Sequence, residues 1–265
     1  MIDGTLAFLD SGIGGLPYLE WIARRRPDLP LSYIADSAHF PYGELDPAEL
    51  KAVAVETARR IFRHGTPRLL TVACNTASVA ALTEIRAEAP CPVVGTVPAV
   101  KPAASHSPSG AIGVIATKGT VHSPYLDRLV DAFAGDRRVI RVAAGDIVRF
   151  VEERWLDEGD TGAVPVVKPA LDRLKEHGVA SLVVGCTHFL HVMEPIRAIM
   201  GPGTMLVDSR DGVGRRILSL LGEDAECPPG TPAAPGWFYT TEDSGNDRYN
   251  RFAALHGLEF AGVLP

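Results

Sequence analysis

The chain repeats one local grammar: a short apolar run, a small polar or glycine-rich break, then an amphipathic stretch of helical length. Residues 6–26 read LAFLD, SGIGG and LPYLEWIARRR, which predicts a buried strand, a glycine turn and a helix. LSYIADS (31–37) predicts a second strand, ELKAVAVETARRIFRHG (49–65) a helix ending at Gly65, and RLLTVACNTAS a third strand with its loop. A helix over 77–87 and a strand at PVVGTV (92–97) complete the series. Strand-length runs alternating with helix-length ones predict an α/β fold with a mainly parallel sheet.

The text changes at PAVKPAASHSPSG (98–110), where proline and serine predict a boundary or crossing rather than an element. The grammar then restarts. AIGVIATKGTVHSPYLDRLVDAF (111–133) repeats the strand, glycine turn and helix of residues 6–26, displaced by roughly 106 positions. SLVVGCTHF (181–189) falls where RLLTVACNT falls in the first half, displaced by 112 positions. TMLVDSRDGVGRRILSLLG (204–222) predicts one more strand, loop and helix, and CPPGTPAAPG (227–236) a linker. WFYTT and DRYNRFAALHG then add a strand and a helix that are expected to rejoin the first half. The expected organisation is two pseudo-symmetric α/β domains, a discontinuous one over 1–97 plus 208–265 and an inserted one over 98–207.

Composition narrows the function classes. Among the 265 residues, 26 basic and 32 acidic side chains give a formal charge of −6 and are scattered, whereas a nucleic-acid partner requires a clustered basic face. The cluster Arg24-Arg25-Arg26, followed by Pro27, reads as a helix C-terminus whose cations complement the helix dipole. No apolar stretch reaches the roughly 18 residues of a membrane span. The N-terminal MIDGTLAFLDSG lacks the basic region of an export signal, so a soluble, cytoplasmic protein is expected. Cysteines at 74, 91, 186 and 227 form no CxxC and fit a reducing compartment.

Candidate chemistry gathers where strands end, because in parallel sheets ligands collect outside the carboxyl ends of the strands. Four polar clusters sit there: Asp10-Ser11, His39 with Tyr42-Gly43, Cys74-Asn75-Thr76 and Cys186-Thr187-His188. Asp10 and Ser11 also read as caps of the helix near Leu16, and GIGG lacks the spacing of a dinucleotide loop. Each cysteine taken alone is a small buried hydrophobe, but at a strand tip facing a helix N-terminus a thiolate is favoured. His188 offers a proton partner to Cys186. A metal site from Cys186, His188 and His191 is the competing reading, disfavoured because no carboxylate or second cysteine stands at ligand spacing. Cys91 and Cys227, beside prolines, read as inert. Two matched thiols suit inversion of a stereocentre, which needs a base on one face of the carbon and an acid on the other. A redox pair would instead need the Cα atoms within roughly 7 Å.

DSGIGG, YIADSAHFPYG (33–43), ACNTAS and VGCTHF, in this order, resemble the glutamate racemase family of the aspartate/glutamate racemase superfamily. The resemblance implies two α/β domains with the active site in the cleft between them. It also implies interconversion of L- and D-glutamate with no cofactor and no metal, supplying D-glutamate for peptidoglycan and hence for cell-wall biogenesis and cell shape. Carried over, Cys74 is the base toward D-glutamate and Cys186 the base toward L-glutamate, with Asp10 assisting the first and His188 the second. Substrate contacts fall to Asp10, Ser11, Tyr42, Gly43, Asn75, Thr76, Thr187 and His188 through hydroxyls and backbone amides. The family implies a small-molecule partner, glutamate, and a homodimer, with neither nucleic acid nor membrane.

Three segments depart from the family pattern. GTVPAVKPA lacks the acidic residue often found after the fourth strand, VAAGDIVRFVEER makes Glu152 the best match for an additional catalytic acid, and Leu190 replaces the usual proline after CTHF. The alternatives are a racemase acting on aspartate, or a non-catalytic or redox thiol protein retaining the same cleft.

Overall fold

The computed structural model describes residues 2–106, 110–222 and 226–265. The chain divides into two compact units, residues 1–96 with 210–265, and residues 97–209. The first unit begins with β1 (Leu6–Asp10), α1 (Leu16–Arg25), β2 (Leu31–Ala35), α2 (Pro47–Arg63), β3 (Leu69–Val72), α3 (Asn75–Glu88) and β4 (Val93–Gly95). The second comprises α4 (Val100–His106), β5 (Ala111–Ala116), α5 (Lys118–Val121), α6 (Pro124–Ala134), β6 (Val139–Ala143), α7 (Gly145–Glu153), α8 (Trp155–Glu176), β7 (Val179–Val184), α9 (Met193–Met200) and β8 (Met205–Val207). The chain then returns to the first unit with α10 (Arg210–Leu221), β9 (Gly236–Thr240), α11 (Asn246–Leu255) and β10 (Glu259–Val263).

The first unit holds a six-stranded sheet in the order β10-β9-β2-β1-β3-β4, and the second a four-stranded sheet in the order β6-β5-β7-β8. Every strand pairing is parallel. Parallel sheets are covered by helices on both faces, so their central strands are apolar without alternation. LAFLD follows that rule over its first four residues and ends in a buried aspartate. The late strand β9 pairs with β2, Ala35 beside Thr240, which brings the C-terminal segment to the sheet that the first hundred residues begin. Each unit has its own apolar cluster, one around Leu9, Ile34, Ala58 and Val72, the other around Val100, Ile112, Val114 and Leu126.

The structure departs from the sequence reading in three places. Part of the stretch expected to be a boundary, Val100–His106, is helix α4, and Val100, Ala103 and Ala104 are buried in the second core. Pro102 does not prevent this, because it is the third helical residue, where an N–H has no intrahelical acceptor anyway. Residues 107–109 of that stretch lie outside the described residues. Helix α3 starts at Asn75, two residues before the expected 77, so Asn75 and Thr76 are its first turn rather than a loop. The expected glycine turn after β5 is instead the short helix α5, whose Thr117 cap accepts from Thr120 N at 3.3 Å. The sequence reading assigned none of β6, α7, α8, α9 and β10, although α7 and α9 each carry a clear apolar face. In α8, Pro165, Pro169 and a break at Gly159, with φ +57, obscure the helical period.

Candidate active site

At the centre of the first sheet, β1 ends in Asp10, whose side chain is fully buried. Ser11 Oγ donates to Asp10 Oδ1 at 3.1 Å, and the Gly12 amide reaches the same oxygen at 3.4 Å. The capping reading fails here, because α1 begins at Leu16 with Gly15 as its N-cap and no side-chain cap bond. Glycine is required at 15 by close approach: a Cβ there would stand 2.7 Å from Ala73 Cβ and 3.0 Å from both Ala73 O and Tyr33 Oη. Tyr33 Oη accepts from Gly15 N at 3.0 Å and donates to Gly12 O at 2.7 Å. The glycine loop is therefore laced to β2, and its geometry answers a packing demand rather than a phosphate.

The pairing of Leu9 with Val72, and the bond from Ala73 N to Leu9 O at 2.7 Å, carry the end of β3 alongside Asp10. Cys74 comes next, extended (φ −132, ψ 118), 5 % exposed, and N-cap of α3 with no side-chain cap bond. Asn75 and Thr76 follow as buried residues of the first helical turn. Both carboxamide atoms of Asn75, Oδ1 and Nδ2, are buried and make no hydrogen bond within the described residues. The strand end beneath them is fixed by Val72 O, which accepts from Ser78 Oγ at 3.0 Å and Thr96 Oγ1 at 3.2 Å.

Beyond β2 lies a feature the sequence reading passed over. Asp36 is fully buried, and its carboxylate gathers four side chains. Thr241 Oγ1 donates at 2.6 Å, Thr57 Oγ1 at 2.9 Å and Tyr42 Oη at 2.5 Å, while His39 Nδ1 lies at 3.0 Å. Burial first, then the charge of Asp36, hold the Tyr42 hydroxyl well above its ordinary pKa, so it is a neutral donor. The Tyr42 hydroxyl is committed to Asp36. What Tyr42 and Gly43 offer is their backbone. They open the 3-10 turn Tyr42–Glu44, whose leading N–H groups have no intrahelical acceptor.

In the second unit, β7 runs into Gly185 and Cys186. Cys186 repeats the setting of Cys74, with φ −138, ψ 136, 5 % exposure, and a position immediately before a helical turn. That turn, Thr187–Val192, is 3-10 and leads into α9, so the dipole expected at Cys186 is that of a shorter element than α3, with poorer hydrogen-bond geometry. Thr187 and His188 are buried within it. His188 Nε2 meets Glu152 Oε2 of α7 at 3.0 Å, both side chains almost completely buried. His191 turns instead to Trp155, edge-on with 5.4 Å between ring centroids, and Leu190 is buried where a proline was the family expectation. Among the described residues no three His, Cys, Asp or Glu side chains are placed to share a metal ion, and no helix is long and apolar enough to cross a membrane. All four cysteines are thiols rather than disulfides.

The sequence-derived candidates thus fall into two groups. Asp10, Ser11, Cys74, Asn75 and Thr76 end the adjacent strands β1 and β3, with Tyr42 and Gly43 beyond β2. Cys186, Thr187, His188 and Glu152 stand together at the end of β7 and on α7. Asp36, Thr57 and Thr241 were missed. Asp36 carried a usable signal, an aspartate directly after an apolar strand as at Asp10, but nothing local marks Thr57 or Thr241.

Residues 18–211 match the Asp/Glu/Hydantoin racemase family. The chain is 38 % identical to the glutamate racemase of Sphingopyxis alaskensis over 227 residues, 84 % of each chain. With that of Treponema pallidum it shares 36 % identity over 262 residues, 97 % of this chain and 96 % of the other. The fold superposes on Escherichia coli glutamate racemase, solved with L-glutamate and the activator UDP-MurNAc-Ala, with a TM-score of 0.86 and 31 % identity over 98 % of each chain. The chain belongs to the aspartate/glutamate racemase family, in which its relatives over nearly its whole length are glutamate racemases.

Proposed function

We propose that this chain interconverts L- and D-glutamate by a two-base mechanism in which Cys74 and Cys186 exchange protons with opposite faces of the substrate's α-carbon. The observation that carries the reading is the matched setting of the two thiols. Each is 5 % exposed, extended, directly after a parallel strand and directly before a helical turn, and they lie on corresponding strands of two sheets.

In one direction the Cys74 thiolate takes the α-proton of D-glutamate and becomes a thiol. The Cys186 thiol delivers a proton to the other face, leaving L-glutamate and a Cys186 thiolate. The reverse reaction exchanges the roles, so no group is oxidised or reduced. Asp10 assists at Cys74, and His188, oriented by Glu152, assists at Cys186. The amides of Tyr42 and Gly43, the Asn75 carboxamide and the hydroxyls of Ser11, Thr76 and Thr187 hold the substrate carboxylates. Those donors that meet the α-carboxylate, apart from the Tyr42-Gly43 turn, also stabilise the charge that develops as the α-proton leaves. With the family resemblance, we assign the product D-glutamate to peptidoglycan synthesis in the cytoplasm and the chain to a homodimer.

The test is direct. Cys74→Ser and Cys186→Ser are expected to lower kcat by about 10²- to 10⁴-fold, the range of general acid–base catalysis. Circular dichroism follows racemisation, and uptake of solvent deuterium follows α-proton exchange. An active double variant would sink the two-base reading, and a higher kcat/KM for aspartate than for glutamate would move the chain to a different substrate.

A further inference from the structure

We propose that Thr241, contributed by the segment that follows β9, is a positioning residue that holds the Tyr42-Gly43 turn in place through Asp36. The inference rests on the function proposed above, in which the amides of that turn bind a substrate carboxylate.

Asp36 is a fully buried carboxylate, and such a group is stable only when its oxygens are supplied with donors. Among the described residues the only side chain at its oxygens that can carry a positive charge is His39, which is 45 % exposed. The hydroxyls of Thr241, Thr57 and Tyr42 supply the rest, with Thr241 at 2.6 Å on Oδ1 and the other two on Oδ2. The carboxylate plane is therefore set from both ends. Because Tyr42 is itself buried and tied to Oδ2, a rotation of Asp36 carries Tyr42 with it, and the backbone of the turn follows.

Thr241 is more than one donor among three. The pairing of Ala35 with Thr240 puts it level with Asp36 on the neighbouring strand. Its hydroxyl also accepts from Ala38 N at 3.0 Å, so one oxygen bridges the carboxylate and the 3-10 turn Ser37–His39 that follows it. The amides of Thr241 and Glu242 both reach Ser37 Oγ at 3.3 Å. A segment 205 residues away in sequence thus clamps the whole run from Asp36 to Ala38. Replacing the hydroxyl by a methyl leaves Oδ1 short of a donor and the Ala38 amide short of an acceptor, with shape unchanged.

A contact to a carboxylate that does not react acts equally on substrate and transition state, so its loss appears in KM rather than kcat. Thr241→Val is expected to raise the KM for glutamate about tenfold, as suits loss of a hydrogen bond to a charged group, and to leave kcat within about threefold. In the ligand-free protein, amide hydrogen exchange over residues 37–45 should accelerate by about tenfold while β1 and β3 keep their protection. Thr241→Ser, which keeps the hydroxyl, should match wild type in both measurements. Thr57→Val, which removes a hydroxyl from the other oxygen, is the second probe and should shift KM the same way. A wild-type KM in Thr241→Val, a serine variant as impaired as the valine one, or faster exchange spread evenly over the unit would each overturn the proposal. Wild-type protein inactive on glutamate would overturn the proposed function instead, and the exchange measurement alone would then decide whether Thr241 holds the turn.

Discussion

Asn75→Leu tests the link between stability and function most sharply. Asn75 begins α3 beside Cys74, is buried, and has both carboxamide atoms without a hydrogen bond among the described residues. A buried polar group left unsatisfied costs about 1–3 kcal/mol, whereas leucine, larger but with the same branching, carries no such penalty. Helix propensity differs little between the two, by no more than about 0.7 kcal/mol. A gain of about 2 kcal/mol in the ligand-free protein would raise Tm by about 4–8 °C for a unit of roughly 150 residues. The same change removes a donor and an acceptor from the proposed substrate site, so kcat/KM should fall about 10- to 100-fold. Thermal melts with and without D-glutamate read both effects. At 100 times its dissociation constant the ligand stabilises wild type by about 2.7 kcal/mol, whereas the variant gains little. A ligand-free Tm below that of wild type would refute the reasoning, because the carboxamide would then be supporting the fold rather than the substrate.

Two further outcomes follow from the same geometry. Gly15 has ordinary helical dihedrals (φ −79, ψ −10), so Gly15→Ala carries no conformational strain, but its new Cβ would stand 2.7 Å from Ala73 Cβ. Overpacking of that kind costs about 1–3 kcal/mol, and displacing Ala73 shifts Cys74, so the urea midpoint and kcat should fall together; an unchanged midpoint would contradict the packing account. Tyr42 has a folded-state pKa raised by burial and by Asp36. Above about pH 10 the unfolded chain has released that proton while the folded chain retains it, so the Tyr42 contribution to stability is complete below pH 10 and declines as pH rises. Urea titrations from pH 8 to 11 should show the stability difference between wild type and Tyr42→Phe shrinking toward high pH, and a constant difference would contradict the assignment.

The sequence by itself determined most of the strands, the alternation that makes the sheets parallel, and the two cysteine motifs at strand ends. These are legible because they depend on local periodicity: a central strand such as LAFLD is apolar until its last residue, and a polar residue marks where it ends. Glu152 is named by resemblance alone, since α7 offers nothing that marks one glutamate among its neighbours, and only the fold brings it to His188. Helix α4 was hidden because Pro102 reads as a breaker until its place in the first turn is known. The tertiary structure alone decided that the Tyr42 hydroxyl belongs to Asp36 and that Thr241, 205 residues distant in sequence, completes that carboxylate's shell. A buried charge must be satisfied by whatever the fold delivers to it, and parallel pairing of β2 with β9 delivers a threonine that no local pattern distinguishes from any other.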